Sequence, residues 1–203
     1  MLIIFAASVN PVGESSGRKA ISHERIVAAA SRDLRRSGFE GVNVAGVMKT
    51  AGLTHGGFYA HFDSRDALLA AAMVRASDQA AEAIKTQVRG LQDSGISPFR
   101  SFIEAYLSAA HVEDCESGCP IAALCADMPL QAAAVLDTSR HAIGSLRRLV
   151  LQFLPRDLPR DTAWSVASTL IGAVQLARAL GDNPQAKAVI AAAKRDLIER
   201  YDS

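Results

Sequence analysis

Apolar residues recur at spacings of three and four along nearly the whole chain, and one stretch carries the pattern in its most compact form. Between Val44 and Phe62 the apolar positions are Val44, Val47, Met48, Ala51, Leu53, Phe58 and Phe62. The first four share one face of a short helix. Gly52 follows where a left-handed C-cap is needed, and Thr54 stands as N-cap of a second short helix that puts Phe58 and Phe62 on a single side. Two short helices joined by a tight glycine turn predict a helix-turn-helix.

The flanking pattern is also helical. Ser22 is positioned to cap a helix running to about Ser37, with Ile26, Ala29, Ala30 and Leu34 inward and Gly38 as its stop. Ser64 caps a long helix to about Arg89, with Asp66 in the first turn, where the helix dipole favours it. Its stripe is Leu68, Leu69, Ala72, Met73, Ala76, Ala80 and Ile84. Gly90 to Pro98 reads as a linker. Beyond it the pattern predicts helices from Pro98 to about His111, a short one after Pro120, and longer ones over Leu130–Phe153, Asp161–Leu180 and Pro184–Tyr201. Ala163, Val166, Ala167, Leu170, Ile171, Val174 and Ala177 form a stripe broad enough to be buried on two sides, expected to meet a second subunit, with packing inside its own subunit as the alternative. Nothing alternates as a strand would, so the fold class is all-α.

Composition refines this picture only at the N-terminus. The chain has 203 residues and a net charge of +1, unevenly distributed. Residues 1–65 hold eight Lys/Arg against five Asp/Glu, whereas the remainder hold fourteen against sixteen. The basic bias of the first part suits contact with nucleic acid. Leu2 to Ala7 is apolar, but it lacks a preceding cation, is too short for a signal peptide and is far shorter than a membrane span. With the loop-like Asn10 to Gly17 it reads as a flexible arm. No membrane partner is expected, and the location implied is cytoplasmic.

The second short helix leaves a polar surface. Thr54, His55, Tyr59 and His61 are hydrogen-bonding side chains, with Gly56 and Gly57 among them. Each glycine costs a helix about 1 kcal/mol relative to Ala, and close approach of the backbone to another surface is the usual compensation. Gly38-Phe39-Glu40-Gly41, Leu53-Thr54-His55-Gly56-Gly57-Phe58-Tyr59-Ala60-His61-Phe62 and Ser64-Arg65-Asp66-Ala67-Leu68 closely resemble the N-terminal domain of TetR-family transcriptional repressors, over roughly residues 20 to 70. Gly46 departs from the resemblance, since the family more often has a better helix former there.

The resemblance implies an N-terminal three-helix DNA-binding domain and a larger C-terminal helical domain for effector sensing and dimerisation. The chain then divides into an arm (1–17), a helix-turn-helix domain (18–63), and a linking helix with the sensing and dimerisation domain (64–203). The expected partners are double-stranded DNA with a palindromic operator, a second copy of the chain, and a small-molecule effector. Lys19, Asn43, Tyr59, His61 and Arg65 are the expected phosphate contacts, and Thr54, His55 and Gly57 would face base edges. Phe99, Phe102, Tyr106, Phe153 and Trp164 are effector-pocket candidates.

The three cysteines share one window: Cys115, Cys119 and Cys125. Pro120 favours a first helical turn, which places Cys119 at a helix N-terminus, where thiolates are stabilised. Cys119 is therefore a candidate redox or electrophile sensor with Cys115 as resolving partner. The competing readings are inert thiols and a soft-metal site with His111, although no compact metal-ligand spacing is present. No cofactor or resident metal is expected. Nothing in the chain requires an enzyme, and a helical interaction module without DNA contact is the remaining alternative.

Overall fold

A computed structural model describes residues 11–202, with side chains from residue 17 onward. Among the described residues the regular structure is all helical. Helix α1 (Pro11–Gly41) carries Ile26, Ala29, Ala30 and Leu34 inward as the spacing predicts, and bends at Gly38, where φ is +73°. It begins well before Ser22, which lies inside the helix rather than capping it, and the expected loop over residues 11–17 is helical. The rest of the expected arm, residues 1–10, lies outside the described residues.

Helix α2 (Val44–Thr50) starts at Asn43, whose Oδ1 accepts from the Ala45 N–H at 3.0 Å. Gly52 ends the turn with φ +70°. A 3-10 helix (His55–Ala60) follows in place of an α-helix. Helix α3 (Arg65–Asp93) begins at Ser64, whose hydroxyl accepts from the Ala67 N–H at 3.1 Å. Every predicted stripe residue of α3 is buried, and Val88 extends the stripe by one turn. The expected linker shrinks accordingly, because α3 continues through Gly90 to Asp93 and turns at Gly95 with φ +84°.

Helix α4 (Pro98–Tyr106) is buried nearly all round, against α3 on one side and the C-terminal helices on the other. The single helix expected to His111 breaks at Leu107. The Ser108 hydroxyl accepts from the His111 N–H at 3.2 Å and starts helix α5 (Ala109–Glu113) afresh. Serine favours caps over helix interiors because its hydroxyl offers the backbone this alternative bond. Helix α6 (Pro120–Leu124) and a 3-10 turn (Met128–Leu130) lead into helix α7 (Ala133–Phe153), then α8 (Thr162–Leu180) and α9 (Pro184–Tyr201).

The long helix α3 is the mast of the fold, flanked by α1, α4 and α7, while α8 and α9 pack as a hairpin. By length and composition α8 could cross a membrane, but its apolar stripe lies in the protein core. That stripe was expected to form the dimer surface. Ala163, Val166, Ala167, Leu170, Val174 and Ala177 are instead all buried within their own subunit, leaving only Ile171 half exposed. The outward apolar positions on α8 are Trp164, Leu176 and Leu180.

Candidate nucleic-acid interface and sensing core

The helix-turn-helix is anchored from below and polar above. Phe58 and Phe62 are buried with stacked rings 5.8 Å apart, and Met48 lies fully buried in the same core. Tyr59 leans edge-on against Phe58, at 5.2 Å between centroids, and remains 74% exposed. Thr54, His55 and Gly56 are exposed beside it, and Gly57 is half-buried. Thr54 occupies the cap position in extended conformation, as expected, but its hydroxyl makes no capping bond. That hydroxyl is thus unused by its own helix.

The two glycines of this segment have no internal cause. A Cβ at Gly56 would meet nothing within 4 Å, and one at Gly57 would make only ordinary contacts with Met48 and Thr54 at 3.7 and 3.8 Å. Neither residue has positive φ. Gly52 differs, since it needs its positive φ and lies under the Arg25 guanidinium, 2.5 Å from where a Cβ would stand.

Lys19 and Asn43 are both exposed, with Asn43 also acting as the α2 cap. Arg65, expected to meet phosphate, turns inward. Its Nε donates to the Val42 carbonyl at 3.2 Å and its Nη2 to the Phe39 carbonyl. It satisfies carbonyls where α1 ends, a backbone need that the sequence pattern did not display. His61 Nδ1 is shielded and has no hydrogen-bond partner, and the His61 ring lies 6.1 Å from that of His23. His23 itself stacks on Phe62 at 4.7 Å. Burial, then His23 and Lys19, hold the His61 pKa below the usual histidine value.

The aromatic pocket candidates are mostly structural. Phe102 stacks on Phe153 at 5.2 Å, Phe99 meets Tyr201 edge-on at 6.1 Å, and Trp164 lies 45% exposed under the Arg147 guanidinium. Tyr106 borders a cavity of about 60 Å³ shared with Cys119, Ile84 and Leu146. A larger cavity of about 500 Å³ lies between α5, α8 and α9, lined by Leu107, Val112, Cys115 and Ile190 among others. It contains none of the five aromatic candidates. The same spacing that marks a lining face also marks a core face, so periodicity alone does not separate the two.

Cys119 is the N-cap of α6, as Pro120 implies, but it is only 4% exposed. Cys115 is the exposed thiol and borders the larger cavity, so the two expected partners face different spaces. The Cys119 N–H donates to His111 Nε2 at 2.9 Å, which leaves His111 Nδ1–H to donate to the Tyr106 carbonyl. Both ring nitrogens are therefore engaged, leaving none for a metal. Burial is the main cause of a lowered His111 pKa.

The loop between α5 and α6 is tightly built. Asp114 accepts from the Glu116 and Ser117 N–H groups at 2.9 and 3.1 Å and from the Ser117 hydroxyl, and these bonds, the hydroxyl first, lower its pKa. Arg178 donates to the carbonyls of Val112 and His111 at 3.0 and 3.1 Å. It passes so close to Gly118 that a Cβ there would stand 2.6 Å from its nitrogen. The same loop reaches α1, because Arg36 pairs with Glu116 at 3.0 Å. Arg35, adjacent in sequence, donates from α1 to the Ala76 carbonyl and Gln79 of α3, both at 3.2 Å. Burial lowers its pKa to about 10.

Residues 26–72 match the bacterial regulatory proteins of the tetR family. An HTH-type transcriptional regulator of Mycobacterium tuberculosis is 28% identical over 171 residues, covering 78% of this chain and 85% of that protein. Among solved structures, the reduced form of Escherichia coli NemR superposes with a TM-score of 0.71 at 19% identity, covering 89% of this chain and 97% of its own. A TetR-family regulator from Cytophaga hutchinsonii gives 0.74 at 16% identity, covering 91% and 96%. One from Chloroflexus aurantiacus gives 0.69 at 22%, covering 89% and 94%.

Proposed function

We propose that the chain, which matches the tetR family of bacterial regulatory proteins over residues 26–72, is a homodimeric TetR-family repressor that leaves a palindromic operator when a small molecule binds. Residues 18–63 form the DNA-binding unit in this reading, and residues 64–203 the linking, sensing and dimerising part. The work is done in the cytoplasm, where the operator is.

The observation that carries the DNA contact is the segment from Thr54 to Tyr59. It is exposed and polar, and it holds a glycine, Gly56, whose missing side chain serves no purpose inside the protein. Thr54, His55 and Gly57 face base edges, while Lys19, Asn43, Tyr59 and His61 meet phosphates. Arg65 supports this surface from beneath by fixing the turn before α2.

Dimerisation uses the outer faces of α8 and α9. Trp164, Leu176 and Leu180 are apolar and exposed there, Gly172 has open space above it, and α9 presents Ala188, Ala191 and Ala192. A two-fold pair then offers two recognition helices to two half-sites.

Selection of bound duplexes from a random pool, followed by fluorescence anisotropy at several salt concentrations, tests the whole reading. It predicts a palindromic site bound by two copies, with affinity falling steeply as salt rises. Binding no tighter than to unrelated DNA would overturn it. Thiol modification as the releasing event is the second reading, favoured by the exposure of Cys115 beside the larger cavity.

A further inference from the structure

We propose that the cavity between α5, α8 and α9 binds an amphipathic carboxylate, with its apolar chain along Leu107, Ala186 and Ile190 and its head on Arg178. The part of such a ligand in releasing the operator rests on the regulator reading above; its binding does not.

The cavity exists because small side chains meet where α8 turns into α9. Ala109, Ala177, Ala186 and Ala191 line it, and Gly181 makes the turn with φ +78°. Its volume of about 500 Å³ falls within the roughly 300–1,000 Å³ of small-molecule sites. The floor is apolar, since Leu107, Ala177 and Ala186 are buried and Ile190 is half-buried. Trp164, Leu176 and Leu180, assigned above to the dimer face, lie outside the lining, and Ala191 alone is common to both surfaces.

Charge selects the head group. Arg178, Lys187 and Lys194 are the cations of the lining, and Glu113 and Asp182 its acids. Lys187 pairs with Asp182 at 3.1 Å, and Lys194 with Glu104 at 2.7 Å. Glu113 is exposed, where solvent and salt screen its charge. Arg178 is half-buried and has carbonyl partners only, Val112 through Nε and His111 through Nη2. Its Nη1 makes no hydrogen bond among the described residues. A carboxylate is the group whose two oxygens match a guanidinium fork. That leaves Arg178 as the anchor.

Arg178 is also the clasp of the loop between α5 and α6. It holds the carbonyls of His111 and Val112, and a few residues on Glu116 pairs with Arg36 of α1 at 3.0 Å. A carboxylate drawing the guanidinium into the cavity would bias this loop, as far as its affinities for the two arrangements differ.

The test is titration of the 15N-labelled full-length protein with decanoate, followed by amide shifts, with decanol and decylamine as neutral and cationic comparisons. Saturable shifts at Val112, Ala177 and Ile190 are expected. Decanoate should bind about tenfold or more tightly than either comparison. It should also bind about fivefold or more tightly than octanoate, since each fully buried CH2 is worth about fourfold. Ala109 is exposed and lines the cavity, so Ala109→Trp fills the space with little cost to the fold and should abolish binding. Arg178→Gln should remove the preference for decanoate over decanol; where that variant does not fold, the head-group series and Ala109→Trp decide. No saturable shift, equal or tighter binding of decanol or decylamine, unchanged binding in Ala109→Trp, or shifts confined to the core around Tyr106 would each overturn the proposal. Release of the selected operator by decanoate is measured separately. Binding without release would sink carboxylate-driven release and leave the site intact, and a protein that binds decanoate but no operator would fail the regulator reading alone.

Discussion

Replacing Gly56 by Ala separates folding from DNA recognition, because the two respond with opposite sign. The added Cβ meets no atom within 4 Å, and the residue has no positive φ that a side chain would strain. Inside the protein, the substitution therefore only removes conformational freedom from the unfolded chain and improves helix propensity. Gly→Ala changes at compatible positions stabilise by about 0.4–1 kcal/mol. For a chain of this length that is a rise in Tm of about 1–4 °C. Against DNA the methyl group enters the narrow space between the segment and the duplex. Losing one close contact and its hydrogen bonds should weaken operator binding at least tenfold, about 1.4 kcal/mol. Circular dichroism melts and anisotropy on the selected operator read the two effects from one preparation. A variant that gains stability and binds the operator as tightly as the parent would refute the close approach of this segment to DNA. A variant that loses stability would refute the description of open space around Gly56.

Gly118→Ala should behave oppositely: its Cβ would stand 2.6 Å from the Arg178 guanidinium and 2.8 Å from the Asp114 carbonyl oxygen. Displacing Arg178 gives up two charge-assisted bonds, so a loss of about 2–4 kcal/mol is expected in urea unfolding; a loss below about 1 kcal/mol would contradict the packing. Lys19→Ala should weaken binding to all duplexes alike and lower the slope of log affinity against log salt by about one phosphate contact, and an unchanged slope would remove Lys19 from the interface. His61, with its pKa depressed in the free protein, should take up a proton as phosphate approaches. Operator affinity should then strengthen from pH 7.5 to 6, with His61→Gln flattening the profile; a wild-type profile already flat would count against the contact. His111 contributes in the other direction to folding. Its folded pKa lies below the unfolded value, so the unfolded chain binds the proton first and stability is lost as pH falls through about 6.5. The urea midpoint should drop from pH 7 to 5.5, and less so in His111→Gln.

The helices were legible because their burial follows simple periods. The stripe from Leu68 to Ile84 and the pair Phe58 and Phe62 lie where spacing puts them. Pro184 and Pro98 start helices because their fixed φ suits the first turn. What escaped the sequence was mostly long-range polar chemistry. Arg65 bonding to Val42, Arg178 to Val112 and Arg36 to Glu116 join residues far apart in sequence, and nothing local distinguishes such arginines from solvated ones. The α8 stripe was misassigned for a related reason. Periodicity marks which side of a helix is buried, but not whether the cover is the same chain or another.

Helix α1 has a consequence for anyone wishing to build hybrid regulators. A natural cut for transplanting a DNA-reading head onto another sensor falls at Ser64, just before α3. Yet α1 is fastened across that cut by Arg35 to Ala76 and Gln79, and by Arg36 to Glu116, and its apolar face belongs to one continuous core with α3. A head moved alone would carry two arginines into a foreign body with no matching acceptors, one of them buried. Grafts from this protein should therefore travel with the facing turns of α3 and the loop at Glu116, or with both arginines replaced to suit the host.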